Sequence, residues 1–385
     1  MRDAVLALPG SKIREVANAG LGRSDVLAFW FGESDEVTPE PIRRAAAESL
    51  QRGETFYSHN LGLIELRAAI AAYASKLHGP VGVDRIAVTS SGVSALMLAM
   101  QMLVGTGDEV VAVVPVWPNL TAQPLILGGR VTRVALRPDA TGAWRLDLEA
   151  LLAAVTPDTK VLLVNAPNNP TGWSLTREEQ HALLAHCRRT GTWIVADEVY
   201  ERLYYAGSTA QAAPSFLDIA TADDRLVVAH SFSKSFLMSG WRLGWLVFPQ
   251  GTGDAVGKLL EFNSSCAPVF VQRGGLAALA MAGELVPRIA LHLRACRDRL
   301  LAGLETLPGV TVARPPGGMY ALFRIEGQHD SLALAQRLVA DCGLGLAPGA
   351  AFGDEGEGWL RWCFASRDPA RLDAGLMRLR QALRL

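Results

Sequence analysis

Short apolar runs, each followed by a longer stretch of helical character, constrain this chain more than anything else in it. Residues 86–89 (IAVT), 110–116 (VVAVVPV), 161–165 (VLLVN), 193–196 (WIVA), 226–230 (LVVAH) and 245–248 (WLVF) are apolar at nearly every position and rich in β-branched or aromatic side chains. A strand with one wet face alternates apolar and polar residues. These runs do not, so both faces of each are expected to be covered. Stretches such as 61–77, 95–104 and 176–189 carry helix formers at helical spacing. Doubly apolar strands alternating with helices predict an α/β domain whose mainly parallel sheet has helices on both sides.

Beyond residue 283 the character changes. Long Arg/Leu/Ala-rich helical segments flank the turn Pro315-Pro316-Gly317-Gly318, and short strands are expected near 319–324 and 360–364. This predicts a smaller α+β domain. The first residues hold Pro9-Gly10, Gly20, Gly22, Pro39 and Pro41 and read as an arm. The expected division is an arm that contributes to the small domain (1–45), a large domain (46–283) and a small C-terminal domain (284–385).

Composition narrows the function by exclusion. The chain has 385 residues, 50% hydrophobic and 19% charged, with a formal net charge of −1. A near-neutral balance argues against nucleic acid or an anionic membrane as partner. No run approaches the roughly 18 apolar residues of a membrane helix, and residues 1–12, with Arg2 and Asp3 early, do not read as a signal peptide. Cys187, Cys266, Cys296, Cys342 and Cys363 are scattered without C-x-x-C pairs, the pattern of reduced thiols in a cytoplasmic protein. The histidines show no metal-ligand spacing in sequence, and no metal is expected.

Polar residues stand just past the apolar strands: Asn165 and Asn169 after VLLV, Asp197 after WIVA, Ser231 after LVVAH. Open α/β sheets bind ligands at the carboxyl ends of their strands, so a ligand is expected there. Three blocks occupy these positions in order. They are Asn165-Ala-Pro-Asn-Asn-Pro-Thr-Gly172, Ala196-Asp-Glu-Val-Tyr-Glu201 and Ser231-Phe-Ser-Lys-Ser-Phe236, the last followed by Gly240-Trp-Arg-Leu-Gly244. Together they resemble the signature blocks of class I/II aminotransferases, enzymes dependent on pyridoxal 5′-phosphate (PLP) and built on fold type I. The resemblance runs from Gly32 to Arg361 and implies a seven-stranded-type large sheet.

The resemblance implies roles residue by residue. Lys234 is the Schiff-base lysine, displaced by substrate and then free to act as general base and acid. Asp197 partners the pyridine nitrogen, and Trp117 stacks on the ring. Asn169 and Tyr200 donate to the phenolic oxygen, and Asn169 also nears the substrate carboxylate. Ser91, Gly92 and Val93, at a helix start, form the phosphate site with Ser231 and Arg242; Ser233 is a lesser candidate. Tyr57 reaches the phosphate of a neighbouring subunit, which implies a homodimer. Arg361 clamps the substrate α-carboxylate, and Gly32 lies on the segment that lines the substrate pocket.

This sequence departs from the pattern in places. Ser34 stands where relatives usually have proline, and Glu36 where they have an aromatic or apolar residue. His59 and Asn60 follow Tyr57 where prolines are common. Glu36 and His59 are candidates to face substrate, although a solvated loop glutamate and a structural turn histidine fit the same residues. Val93 occupies a position where some aspartate-using members have lysine, which leaves the donor open. The expected reaction is amino transfer between an L-amino acid and a 2-oxo acid. Another PLP reaction on the same fold is the alternative: amino-acid oxidation or hydroxylation, β- or γ-elimination, or decarboxylation. A non-catalytic PLP-binding regulator is a weaker one, since no basic DNA-binding segment is appended.

Overall fold

The computed structural model describes residues 1–206 and 212–383. Its centre is a seven-stranded sheet built from β1 (Ile86–Thr89), β2 (Glu109–Val114), β3 (Arg130–Ala135), β4 (Thr159–Asn165), β5 (Trp193–Asp197), β6 (Leu226–Ser231) and β7 (Gly244–Val247). Their order across the sheet is β1-β7-β6-β5-β4-β2-β3. Only β7 runs against the rest, pairing antiparallel with both β1 and β6.

The doubly apolar runs account for this arrangement. Alternate residues point to opposite faces, and the two sets fall into separate cores. Val111, Leu162, Ile194 and Val228 pack into one, while Val110, Leu163, Val195 and Val227 pack into the other. The strand β3 is not evident from apolar runs. It reads RVTRVA, lies at the sheet edge and exposes Arg130 and Arg133 on opposite faces, so neither face is continuously apolar. Local signals set the helix ends. The helix Arg177–Thr190 opens with a capping box between Thr176 and Glu179 and stops at Gly191, which takes a left-handed conformation.

A second sheet of four antiparallel strands is formed by β8 (Val310–Val312), β9 (Tyr320–Ile325), β10 (Ala347–Pro348) and β11 (Trp359–Cys363), in the order β8-β9-β11-β10. The N-terminal residues join this part of the molecule. Leu27–Ala28 pairs in parallel with Leu344–Gly345, and the helix Lys12–Ala19 packs on the helix Ser331–Cys342. The helix Glu40–Gln51 runs across residue 45 and packs on the helix Val269–Ala280. Among the described residues no single helix is long and apolar enough to cross a bilayer.

Candidate active site

A cavity of about 240 Å³ opens where the carboxyl ends of β4, β5 and β6 face the start of the helix Gly92–Leu103 and the second sheet. Asn165 and Asp197 are the last residues of neighbouring parallel strands and lie in register. The Asn165 amide donates to the Asp197 carbonyl (3.0 Å), while its oxygen accepts from the Asn169 backbone N–H (2.7 Å). One side chain therefore ties the Asn165–Gly172 loop to the end of β5. Asn168 holds the rest of that loop, accepting from the backbone and hydroxyl of Thr171.

Asp197 is buried and accepts a bond from Val199 N–H (3.3 Å). Burial pushes its carboxyl pKa up to about 7, against weaker opposing effects of that bond and of Lys234. Lys234 lines the same cavity, donates to the Gly32 carbonyl, and lies 5.8 Å from the Tyr200 ring centre. Burial lowers its ammonium pKa to about 8, so a useful fraction is the nucleophilic amine near neutrality.

Arg361, on β11, is buried. It donates to Asn169 Oδ1 (2.8 Å) and to the Trp30 carbonyl. Its guanidinium carbon lies 4.3 Å from the Tyr320 ring centre and 4.7 Å from that of Phe352. Its Nε is buried without a partner among the described residues. Because Asn169 commits its carbonyl oxygen to Arg361, any bond that it donates to a ligand comes from its amide NH₂.

Gly92 and Val93 line the cavity with Ser231, Ser233 and Arg242. The helix they open offers unpaired backbone N–H groups and the positive end of its dipole. Gly244 permits this approach: a Cβ there would lie 2.6 Å from Gly92 N. Ser91 precedes the helix with φ +146°, a strained value for a residue with a side chain. Its hydroxyl caps Ser94 N–H (3.0 Å) and it is not among the cavity-lining residues. Trp117 and Gly32 line the cavity.

Besides Ser91, three expected site residues are not among those that line it. Glu36 forms an ion pair with Arg288 (3.2 Å) on the helix Ala282–Leu304. His59 accepts from Leu61 N–H through Nδ1 (3.1 Å), the structural role open to a turn histidine. Tyr57 is 89% exposed. Conversely, Ile13, Trp30, Phe31, Leu96, Val199 and Tyr320 line the cavity without having been evident from sequence. Tyr320 stands out, because its hydroxyl lies 2.7 Å from that of Tyr200. The one available sequence signal was its place after the Pro-Pro-Gly-Gly turn, on the strand that pairs with β11.

The fold also gathers residues that sequence spacing keeps apart. Potential metal-ligand atoms of Glu198, Glu201 and His230 lie within 4.8 Å of one another. They are already engaged: Glu198 accepts from Phe216 N–H (3.1 Å) and the Ser215 hydroxyl, and Glu201 bonds His78 (2.9 Å).

A lysine, an acid, an arginine and a helix-start anion site thus converge on one cavity. The sequence profile described as "Aminotransferase class I and II" matches residues 25–379. The chain belongs to the class I and II aminotransferases. An aspartate aminotransferase of Pyrococcus horikoshii is 30% identical over 385 residues, covering 99% of this chain and 96% of the relative. An "Aromatic-amino-acid aminotransferase 2" of Thermococcus litoralis is 28% identical, covering 95% and 94%. The solved structure of Thermus thermophilus aspartate aminotransferase with maleate superposes with a TM-score of 0.90 at 30% identity, covering 99% of each chain. The protein is an aminotransferase of the PLP-dependent fold type I, and its reaction moves an amino group between an amino acid and a 2-oxo acid.

Proposed function

We propose that this aminotransferase holds PLP in the cavity through Lys234 and works as a cytoplasmic homodimer. The observation that carries this reading is the cavity's polarity. The cavity holds an anion site, made of the Gly92–Val93 helix start, Ser231, Ser233 and Arg242. It also holds Asp197, a buried carboxylate suited to a cationic ring nitrogen. A phosphorylated pyridine has complementary charge at its two ends, so the donor set fits PLP. Bound there, PLP supplies an electron sink for the bond-breaking at the substrate Cα. The five cysteines are free thiols, in keeping with a reducing compartment.

The residues divide the remaining work. Arg361 receives the α-carboxylate, its guanidinium already oriented by two aromatic rings and Asn169. Tyr200 and Asn169, which line the cavity, would donate to the cofactor's phenolic oxygen. Lys234 Nζ, with its lowered pKa, would be the base that takes the proton from the substrate Cα. Trp30, Phe31 and Trp117 wall the cavity against water. The three cations that line it, Lys234, Arg242 and Arg361, all have roles in this scheme. The walls left for a donor side chain include Ile13, Trp30, Phe31 and Leu96, which supports donors with apolar or aromatic side chains.

Absorbance spectroscopy of the purified protein tests this reading. A lysine-linked cofactor band is expected in the wild type and not in Lys234→Ala. Single amino acids should convert it to the aminated form, apolar or aromatic donors at lower concentration than aspartate, and a 2-oxo acid should restore it. A band that no donor converts, with oxygen consumed or ammonia released, points instead to another PLP reaction. Absence of any band with added PLP sinks the cofactor placement.

A further inference from the structure

Tyr320 has no role in the scheme above, yet it lines the cavity and its hydroxyl meets that of Tyr200. Its ring is held from three directions. It occupies the first position of β9, where pairing with β11 places Tyr320 opposite Cys363 and Leu322 opposite Arg361. Tyr320 and Arg361 are therefore diagonal neighbours on one face, and the Arg361 guanidinium carbon lies 4.3 Å from the ring centre. The ring also packs at 5.7 Å, edge to face, with that of Tyr200. Finally, Gly32 leaves room for the hydroxyl: a Cβ on Gly32 would lie 1.9 Å from the Tyr320 oxygen.

So fixed, the Tyr320 hydroxyl is buried and has the Tyr200 hydroxyl as partner at 2.7 Å. A phenylalanine would keep the ring contacts and avoid burying a polar group, so packing alone does not explain the oxygen. Two hydroxyls in contact share one proton, and a negative acceptor beyond Tyr200 decides the direction. Tyr200 then donates outward, and Tyr320 donates to Tyr200. In a buried chain each bond polarises the next, which makes Tyr200 the stronger donor.

We infer that Tyr320 is a positioning residue that acts through Tyr200 to stabilise negative charge on the cofactor's phenolic oxygen. This role rests on the cofactor placement proposed above. It also makes a residue of the small sheet act on a donor in the loop that follows β5 of the large sheet. Loss of the Tyr320 hydroxyl weakens donation by Tyr200. The phenolic oxygen then holds the proton that it shares with the lysine-linked nitrogen more tightly, and that nitrogen titrates at higher pH.

The test is a pH titration of the cofactor absorbance band in the holoenzyme, for wild type, Tyr320→Phe, Tyr200→Phe and the double variant. Tyr320→Phe is expected to raise the midpoint by about half a unit or more, and Tyr200→Phe by more. In the Tyr200→Phe background, Tyr320→Phe should add nothing, because the hydroxyl acts through Tyr200. Tyr320→Phe keeps the ring against Arg361, so its KM for the amino donor should stay within about twofold, whereas Tyr320→Leu should raise that KM as well. An unmoved midpoint in Tyr320→Phe overturns the role, as does an equal shift in both backgrounds. An unmoved midpoint in Tyr200→Phe alone removes the Tyr200 donor and this role with it. No Lys234-dependent band in the wild type overturns the cofactor placement first.

Discussion

At the scale of single residues, Asp197 shows function set against stability. Its carboxyl is ordinarily an acid of pKa 3.8, and burial raises it to about 7. A raised folded-state value means that the favourable contribution is fully present below about pH 3.8 and is lost as pH rises through about 7. At pH 8 the cofactor-free protein therefore carries the whole cost of a buried charge. Asp197→Asn should raise the melting temperature of the cofactor-free protein at pH 8, with the gain shrinking toward pH 4, as thermal unfolding across that range would show. The same change should lower transamination by at least about a hundredfold, because an amide cannot hold the ring nitrogen protonated. A melting temperature that falls equally at both pH values would refute the cost assigned to this charge. Asp197, Lys234 and Asn169, which the structure brings to one cavity with Arg361, were legible because each stands in a short block that resembles a family signature. Tyr320 was not, since nothing in MYALF distinguishes a tyrosine facing a cavity from one packed in a core.

At the scale of elements, the loop that carries Tyr200 is braced from behind by charge. His78 follows the helix Ile64–Leu77 and bonds Asp218 (2.7 Å) and Glu201 (2.9 Å). Burial disfavours its charge, but the bonds to Asp218 and Glu201 outweigh it and raise its pKa to about 10. The stability that His78 supplies is therefore fully present below its ordinary value of 6.5 and lost as pH rises through about 10. His78→Gln should lower the melting temperature most at pH 6 and least near pH 10.5. A pH-independent difference would mean that shape, not charge, holds the helix end. Sequence could not show this brace. Its partners lie far apart in the chain, and His78 before Gly79-Pro80 reads as an ordinary turn. Strand β3 was missed for a related reason. An edge strand is half exposed, and the doubly apolar signature that marked its neighbours is physically absent from it.

At the scale of the whole molecule, Phe56, Tyr57 and Phe262 are 84%, 89% and 87% exposed. The loop that carries Phe56 and Tyr57 is tied to the end of the helix Gly253–Asn263, which carries Phe262, and to the turn after it, Ser58 N–H donating to Cys266 Sγ (3.4 Å) and Asn60 to Glu261 (3.3 Å). Large exposed aromatic side chains on adjoining segments seldom stay in water, since each can bury some 150–250 Å². Neither their exposure nor their proximity was visible in the sequence, where only the likeness to known relatives suggested a dimer. If this face joins two copies, and Tyr57 reaches the neighbour's phosphate site, assembly and cofactor binding are coupled. Phe262→Glu should then shift the protein toward monomer in sedimentation velocity and weaken PLP affinity together, because a buried unpaired charge opposes the interface. Tyr57→Phe should leave the dimer intact and weaken PLP affinity alone, by about tenfold for one lost bond to a charged group. A wild-type protein that sediments as a monomer while holding PLP at full strength would show that each cavity is complete within one chain.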